Sequence, residues 1–176
     1  VCSGYVIARI FELAGLPAGL LHVLPGGAEA SEALTLDENI ASIQFTGSTQ
    51  VGRMVGANAG KTLKKVSLEL GGKNSLIILD DADIERAAEN IVWGAFLHSG
   101  QICMTSGKIL VQEAIYERLK ARVTEKTRQL VVGNPAQENV TIGPLIDEKQ
   151  CRRVADLVQA AVTHGARPVS YNHLTL

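Results

Sequence analysis

The sequence predicts an α/β protein built on a mainly parallel sheet. Three observations lead there. Segments whose apolar residues recur at helical spacing alternate with short segments of strand character. Glycine-bearing turns fall where one pattern gives way to the next. No internal repeat or low-complexity stretch interrupts the alternation.

The elements follow in order. Val6, Ile7, Ile10, Phe11 and Leu13 lie at helical spacing, and Gly15, with Pro17 beyond it, stops that helix. Leu20 to Leu24 is a mostly apolar run closed by Pro25-Gly26-Gly27, which predicts a strand entering a turn. Ala28 to Leu36 reads as a helix. Ala41, Ile43 and Phe45 alternate with Ser42, Gln44 and Thr46, a strand broken by Gly47-Ser48. Val51, Met54, Val55 and Ala59 then mark a helix. Val66, Leu68 and Leu70 share one face of the next strand, with Lys65, Ser67 and Glu69 on the other, and Gly71-Gly72 ends it. Asn74 to Leu79 is continuously apolar after its first two residues, which predicts a strand covered on both faces. Asp81 and Asp83 can cap and charge the start of a helix carrying Ile84, Ala88, Ile91, Val92, Ala95 and Phe96. Ile109 to Val111 reads as a further strand. Two helices follow, over about Ile115 to Leu130 and Lys149 to His164, the latter with an apolar face of Val154, Leu157, Val158 and Ala161.

Composition narrows the function classes. The 176 residues are 46% hydrophobic and 20% charged, the balance of a chain with a sizeable core rather than a disordered one. The formal net charge is −1, from 17 basic and 18 acidic side chains, which offers no basic excess to neutralise nucleic acid. No apolar run is long enough to cross a bilayer, and Val1 to Leu21 lacks the pattern of a signal peptide, so a membrane partner is not expected. Three cysteines, Cys2, Cys103 and Cys151, cannot form a disulfide framework and suit a reducing, cytoplasmic compartment. His22, His98, His164 and His173 show no metal-ligand spacing, and there is no Cys-x-x-Cys, so no metal is expected. The chain opens on Val1 and closes on Pro168 to Leu176, which has neither helical period nor strand alternation; a piece of a longer protein with an unrelated tail is expected.

Three motifs can carry chemistry. In parallel α/β sheets ligands lie beyond the carboxyl ends of the strands, which directs attention to the turns after Leu24, Phe45 and Leu70. Phe45-Thr46-Gly47-Ser48-Thr49-Gln50-Val51-Gly52 is a strand, a glycine turn and a helix start. The unpaired N–H groups there can hold a phosphate, or Ser48 is simply an N-cap. Glu69-Leu70-Gly71-Gly72-Lys73 puts a carboxylate at a strand end: a general base if partial burial raises its pKa, otherwise a solvated surface group. Ser99-Gly100-Gln101-Ile102-Cys103-Met104 places a cysteine after a helix and a glycine. It is either a thiolate nucleophile or a small buried hydrophobe, the reading also given to Cys2 and Cys151. A Cys103–His98 pair is conceivable, but a helix-to-loop break lies between them.

Together, in this order, the motifs resemble those of the aldehyde dehydrogenase superfamily. Cys103 stands 34 residues after Glu69, as in the family. Gly15-Leu16-Pro17-Ala18-Gly19, Pro25-Gly26, Gly133-Asn134-Pro135 and Gly143-Pro144-Leu145-Ile146 agree as well, so the resemblance runs from about Phe11 to Arg167. Asn74, Ile102, Met104 and the helix around Ile7 to Phe11 are similar to those of benzaldehyde- and vanillin-type dehydrogenases.

The resemblance implies NAD- or NADP-dependent oxidation of an aldehyde, an aromatic one on the subfamily likeness, to its acid. Cys103 would be the nucleophile and its N–H half of an oxyanion hole; Glu69 would activate the hydrolytic water. Ser48 and the backbone at Gly47 would meet the cofactor pyrophosphate, with Gly27, Phe45, Thr49, Val51, Gly52 and Leu70 as further cofactor positions. Residues 1–71 would be the second part of a Rossmann-like cofactor domain, 72–167 the first part of an α/β catalytic domain, and 168–176 a tail outside the family. The oxyanion asparagine, the cofactor lysine and the ribose-binding glutamate of the family fall outside this stretch, so residues 1–176 alone are expected to be inactive. Relatives form homodimers or homotetramers. The alternatives are the CoA-acylating branch, against which Glu69 counts, and a non-catalytic module of the same fold.

Overall fold

The computed structural model describes residues 2–168. All of the expected tail 168–176 but Pro168, His173 included, lies outside the described residues. The chain divides into two compact units, Val1–Leu70 and Gly71–Leu176.

The first unit contains α1 (Cys2–Leu13), α2 (Ala28–Leu36), β1 (Ser42–Gly47), α3 (Thr49–Lys61) and β2 (Lys65–Leu70). Gly15 ends α1 because the chain there turns left-handed, at φ 87°. The Leu16 N–H donates to Phe11 O and the Gly15 N–H to Glu12 O, so the last carbonyls of the helix are satisfied. The predicted strand at Leu20 to Leu24 does not form: that run is irregular, without a ladder partner. Apolar character alone does not make a strand, because its backbone groups need a neighbour to pair with. Val6, Ile7, Ile10, Phe11 and Leu13 of α1 are exposed, so this apolar face is uncovered in this chain.

Strands β1 and β2 pair in parallel, Phe45 opposite Leu68 and Gly47 opposite Leu70, with α3 as the crossover. Small side chains let α3 approach. Gly52 and Ala59 are buried, and a Cβ on Gly52 would stand 2.5 Å from Leu70 Cδ2. Asn58 of α3 donates to the buried Thr35 of α2 at 3.1 Å, which fixes the contact of the two helices.

The second unit contains β3 (Asn74–Ile78), α4 (Ile84–Phe96), a short turn Leu97–Gly100, β4 (Ser106–Val111), α5 (Glu113–Arg128) and α6 (Glu148–Thr163). Asp83 caps α4, accepting from the Arg86 N–H at 2.8 Å. Strands β3 and β4 are parallel, and the register slips between Asn74 and Ser75. Gln112 ties the strand ends: its N–H donates to Ile78 O, while its side chain exchanges two hydrogen bonds with Asp80.

The core of this unit joins Ile78, Ala87, Ala88, Ile91, Ile115 and Leu119, the last only 1% exposed. Arg122 on α5 grips the Glu85 carboxylate on α4 with two nitrogens, at 2.5 and 2.6 Å, and Lys126 reaches Glu89 at 3.1 Å. The predicted burial of β3 on both faces is not realised: Ile77 is 65% exposed while Ile78 is buried. Only the face toward α4 and α5 is covered, because the chain supplies no second layer for the other. The apolar face of α6 likewise carries no buried residue.

Candidate active site

Within the first unit, the ladder brings the ends of β1 and β2 together. Gly47 pairs with Leu70, and Thr46 with Glu69. Beyond Gly47 the chain turns into α3, and the Ser48 Oγ accepts from the Val51 N–H at 3.3 Å while Ser48 O accepts from Gly52 at 2.8 Å. Ser48 is thus the N-cap. The Thr49 and Gln50 N–H groups have no acceptor among the described residues, leaving two donors at the positive end of the helix dipole. Any side chain at 47 would meet the Phe45 ring, and any at 52 would meet Leu70. Phe45, Gly47, Ser48, Thr49, Val51, Gly52 and Leu70 therefore belong to one turn-and-helix corner. Gly27 sits elsewhere, as the N-cap of α2. These donors and the bare glycine backbone suit the pyrophosphate of a dinucleotide.

Glu69 is exposed and makes no ion pair among the described residues. Strand alternation turns it from the side of Leu68 and Leu70, both half-buried, as the sequence suggests. Val66 on that side remains partly exposed.

Within the second unit, Cys103 occupies the second position of a tight turn. The Thr105 N–H donates to Ile102 O at 3.1 Å and closes it. Cys103 is exposed, not a buried hydrophobe, and its own N–H has no acceptor among the described residues. Cys2 is exposed and Cys151 half-buried, so the buried reading fails for them too: their helices have no covering layer in this chain. No hydrogen bond joins His98 to Cys103. His98 is exposed, and its carbonyl instead receives both the N–H and the side-chain amide of Gln101.

The approach to the turn holds a feature that sequence patterns missed. His98 (φ 50°, ψ 39°), Ser99 (φ 59°, ψ 30°) and Gly100 (φ 72°) are left-handed in succession. Only the glycine announces such a conformation. Hydrogen bonds hold it: Ser99 Oγ donates to Gly143 O at 3.1 Å, and Thr105 Oγ1 to Gly100 O at 3.2 Å. The Gly143-Pro144-Leu145-Ile146 segment thus meets the turn that leads to the cysteine.

Each unit is thus a small parallel α/β frame: the first leaves helix N–H donors unpaired at the corner after β1, and the second exposes a cysteine at a turn. The profile of the aldehyde dehydrogenase family matches residues 1–173. The chain is 51% identical over 167 residues to the vanillin dehydrogenase of Amycolatopsis sp. and 48% identical over the same length to the NAD(+) benzaldehyde dehydrogenase of Pseudomonas putida, covering 95% of this chain and 34% of each relative. The crystal structure of an NAD-dependent aldehyde dehydrogenase from Sinorhizobium meliloti superposes with a TM-score of 0.90 at 37% identity, over 94% of this chain and 33% of that one. This chain belongs to the aldehyde dehydrogenase family. It spans about a third of the length of the curated relatives it matches.

Proposed function

We propose that this chain carries the nucleophile, the base and part of the cofactor site of an NAD(P)+-dependent dehydrogenase that oxidises aromatic aldehydes to acids. The observation that carries the reading is Cys103, exposed at the apex of a hydrogen-bonded turn with its N–H free. The names of the vanillin and benzaldehyde relatives favour an aromatic substrate, and two relatives are named for NAD.

The Cys103 thiolate attacks the aldehyde carbon. A C–S bond forms, the carbonyl pair moves to oxygen, and the Cys103 N–H donates to that oxyanion. When bound, NAD(P)+ supplies the hydride acceptor that turns the thiohemiacetal into a thioester. Glu69 takes a proton from water as the water oxygen attacks the thioester carbon; the C–S bond breaks, the acid leaves and the Cys103 thiolate is restored. The Thr49 and Gln50 N–H groups and Ser48, with Gly47, hold the pyrophosphate, and Gly27, Phe45, Val51, Gly52 and Leu70 line the rest of the cofactor site. Residues 1–71 act as the second part of a nucleotide-binding domain and 72–167 as the first part of a catalytic domain. Three free cysteines support a reducing, cytoplasmic setting, and the family likeness a homodimer or homotetramer.

The test is kinetic, on the full-length protein. Cys103→Ser abolishes aldehyde oxidation. Glu69→Gln releases one equivalent of NADH in a burst and then stalls at the thioester. Steady full-rate turnover by Glu69→Gln overturns the base assignment. A kcat/KM for benzaldehyde or vanillin no higher than for acetaldehyde overturns the aromatic substrate.

A further inference from the structure

The carbonyls on the far side of the cysteine turn have a single side chain in common. Asn74, the first residue of β3, donates through Nδ2 to Cys103 O at 2.7 Å and to Thr105 O at 3.1 Å. Two carbonyls facing one terminal group fix the amide's orientation, since only its NH2 end carries two donors. The contact spans about thirty residues of sequence, from the strand that follows Gly71-Gly72 to the turn that holds the cysteine. The ladder register slips at this same point, between Asn74 and Ser75. The slip belongs to the residue whose side chain leaves the strand to bind the turn.

We propose that Asn74 is a positioning residue that sets the direction of the Cys103 thiol and N–H by gripping the peptides that follow them. The proposal rests on Cys103 being the nucleophile. Cys103 O belongs to the peptide directly after the nucleophile, so holding it fixes the backbone rotation about Cys103 itself. Thr105 O, held by the same amide, anchors the end of the turn. On the near side, Thr105 Oγ1 binds Gly100 O and Ser99 Oγ binds Gly143 O. The turn is therefore pinned on both sides of Cys103, while the thiol and the Cys103 N–H remain unengaged. A reacting carbonyl needs its nucleophile and its oxyanion donor at one fixed geometry, and a misplacement of about 1 Å costs on the order of a hundredfold in rate.

As a positioning residue Asn74 acts through the turn and not on substrate or cofactor, so its loss acts on kcat rather than on cofactor binding. In the full-length protein, Asn74→Ala lowers kcat by about tenfold to a hundredfold, with the KM for NAD+ changed less than twofold. Asn74→Ser, which keeps one donor, falls between the two. The second readout is the alkylation rate of Cys103 by iodoacetamide, followed by mass spectrometry of its peptide, with free glutathione in the same reaction as internal reference. The ratio of Cys103 to glutathione alkylation changes at least threefold in Asn74→Ala. Should that variant not fold, Asn74→Ser carries both measurements. A kcat within twofold of the parent, or an unchanged alkylation ratio, in a variant of unaltered melting temperature overturns the proposal. If the unaltered protein oxidises no aldehyde, the proposed function falls, and the alkylation ratio alone then upholds or overturns the grip of Asn74 on the cysteine turn.

Discussion

Ser99 offers a test of the geometry before Cys103, because two opposed effects meet in one residue. Its backbone is left-handed, at φ 59° and ψ 30°, a conformation that costs a residue with a Cβ about 1–2 kcal/mol. Its hydroxyl donates to Gly143 O at 3.1 Å, across 44 residues, a bond of about 1 kcal/mol. Ser99→Ala removes the bond and keeps the strain, so it destabilises by about 1 kcal/mol. Ser99→Gly also loses the bond but relieves the strain. Against that relief stands the larger conformational entropy of an unfolded glycine, about 0.4–1 kcal/mol. The glycine variant is therefore the more stable of the two by roughly 0.5–1 kcal/mol. For a chain of this length, 1 kcal/mol moves the melting temperature by about 2–4 °C. Thermal unfolding followed by circular dichroism, with both variants scanned beside the parent, resolves such differences. A glycine variant that melts at or below the alanine variant refutes the strain. An alanine variant that melts with the parent refutes the contribution of the Gly143 bond.

Two more predictions concern the second unit. Leu119→Ala empties a site that is 1% exposed and framed by Ile78, Ala88, Ile91 and Ile115; it should destabilise by about 3 kcal/mol, read from denaturant midpoints at constant slope. A loss under 1 kcal/mol would mean that this core repacks or is not formed. The Arg122 guanidinium, hydrogen-bonded to Glu85, holds that carboxyl below its ordinary value, with Lys126 adding to the effect. The folded pKa is the lower one, so the contribution is complete above the ordinary glutamate range, near pH 4.3, and fades as pH falls through the lowered value. Melting temperatures taken from pH 7 down to 3 should drop at the acid end, less steeply in Glu85→Gln; equal slopes would show that the pair has no linkage to folding.

Much of the frame was legible from periodicity and punctuation. Phe45-Thr46-Gly47-Ser48 reads as a strand, a turn and a cap, and Ser48 does cap α3. The strand Lys65–Leu70 and the Asp83 start of α4 appear where the pattern puts them, although Val66, read on the buried face, is 40% exposed. Patterns failed where the outcome depended on partners. The apolar run from Leu20 to Leu24 finds no ladder, and Ile77, Leu157 and the residues of α1 find no covering layer. The approach to Cys103 was illegible for another reason. His98 and Ser99 adopt a conformation their side chains disfavour, held by Gly143 and Thr105, and no local signal encodes a long-range restraint. Asn74 was visible only as a likeness to aromatic aldehyde dehydrogenases; its contact with Cys103 O is a fact of three dimensions.

Cys103 stands at the apex of its turn and is exposed, outside the buried core. Quality control in a cell reads stability, not chemistry. A chain that exchanged this cysteine for a residue of similar size would fold, accumulate and escape proteolysis as before. Ala88 and Leu119 are opposite cases, where a change is registered as lost abundance. If the proposed function holds, damage to this protein therefore divides into two kinds, one seen as missing protein and the other only as missing turnover.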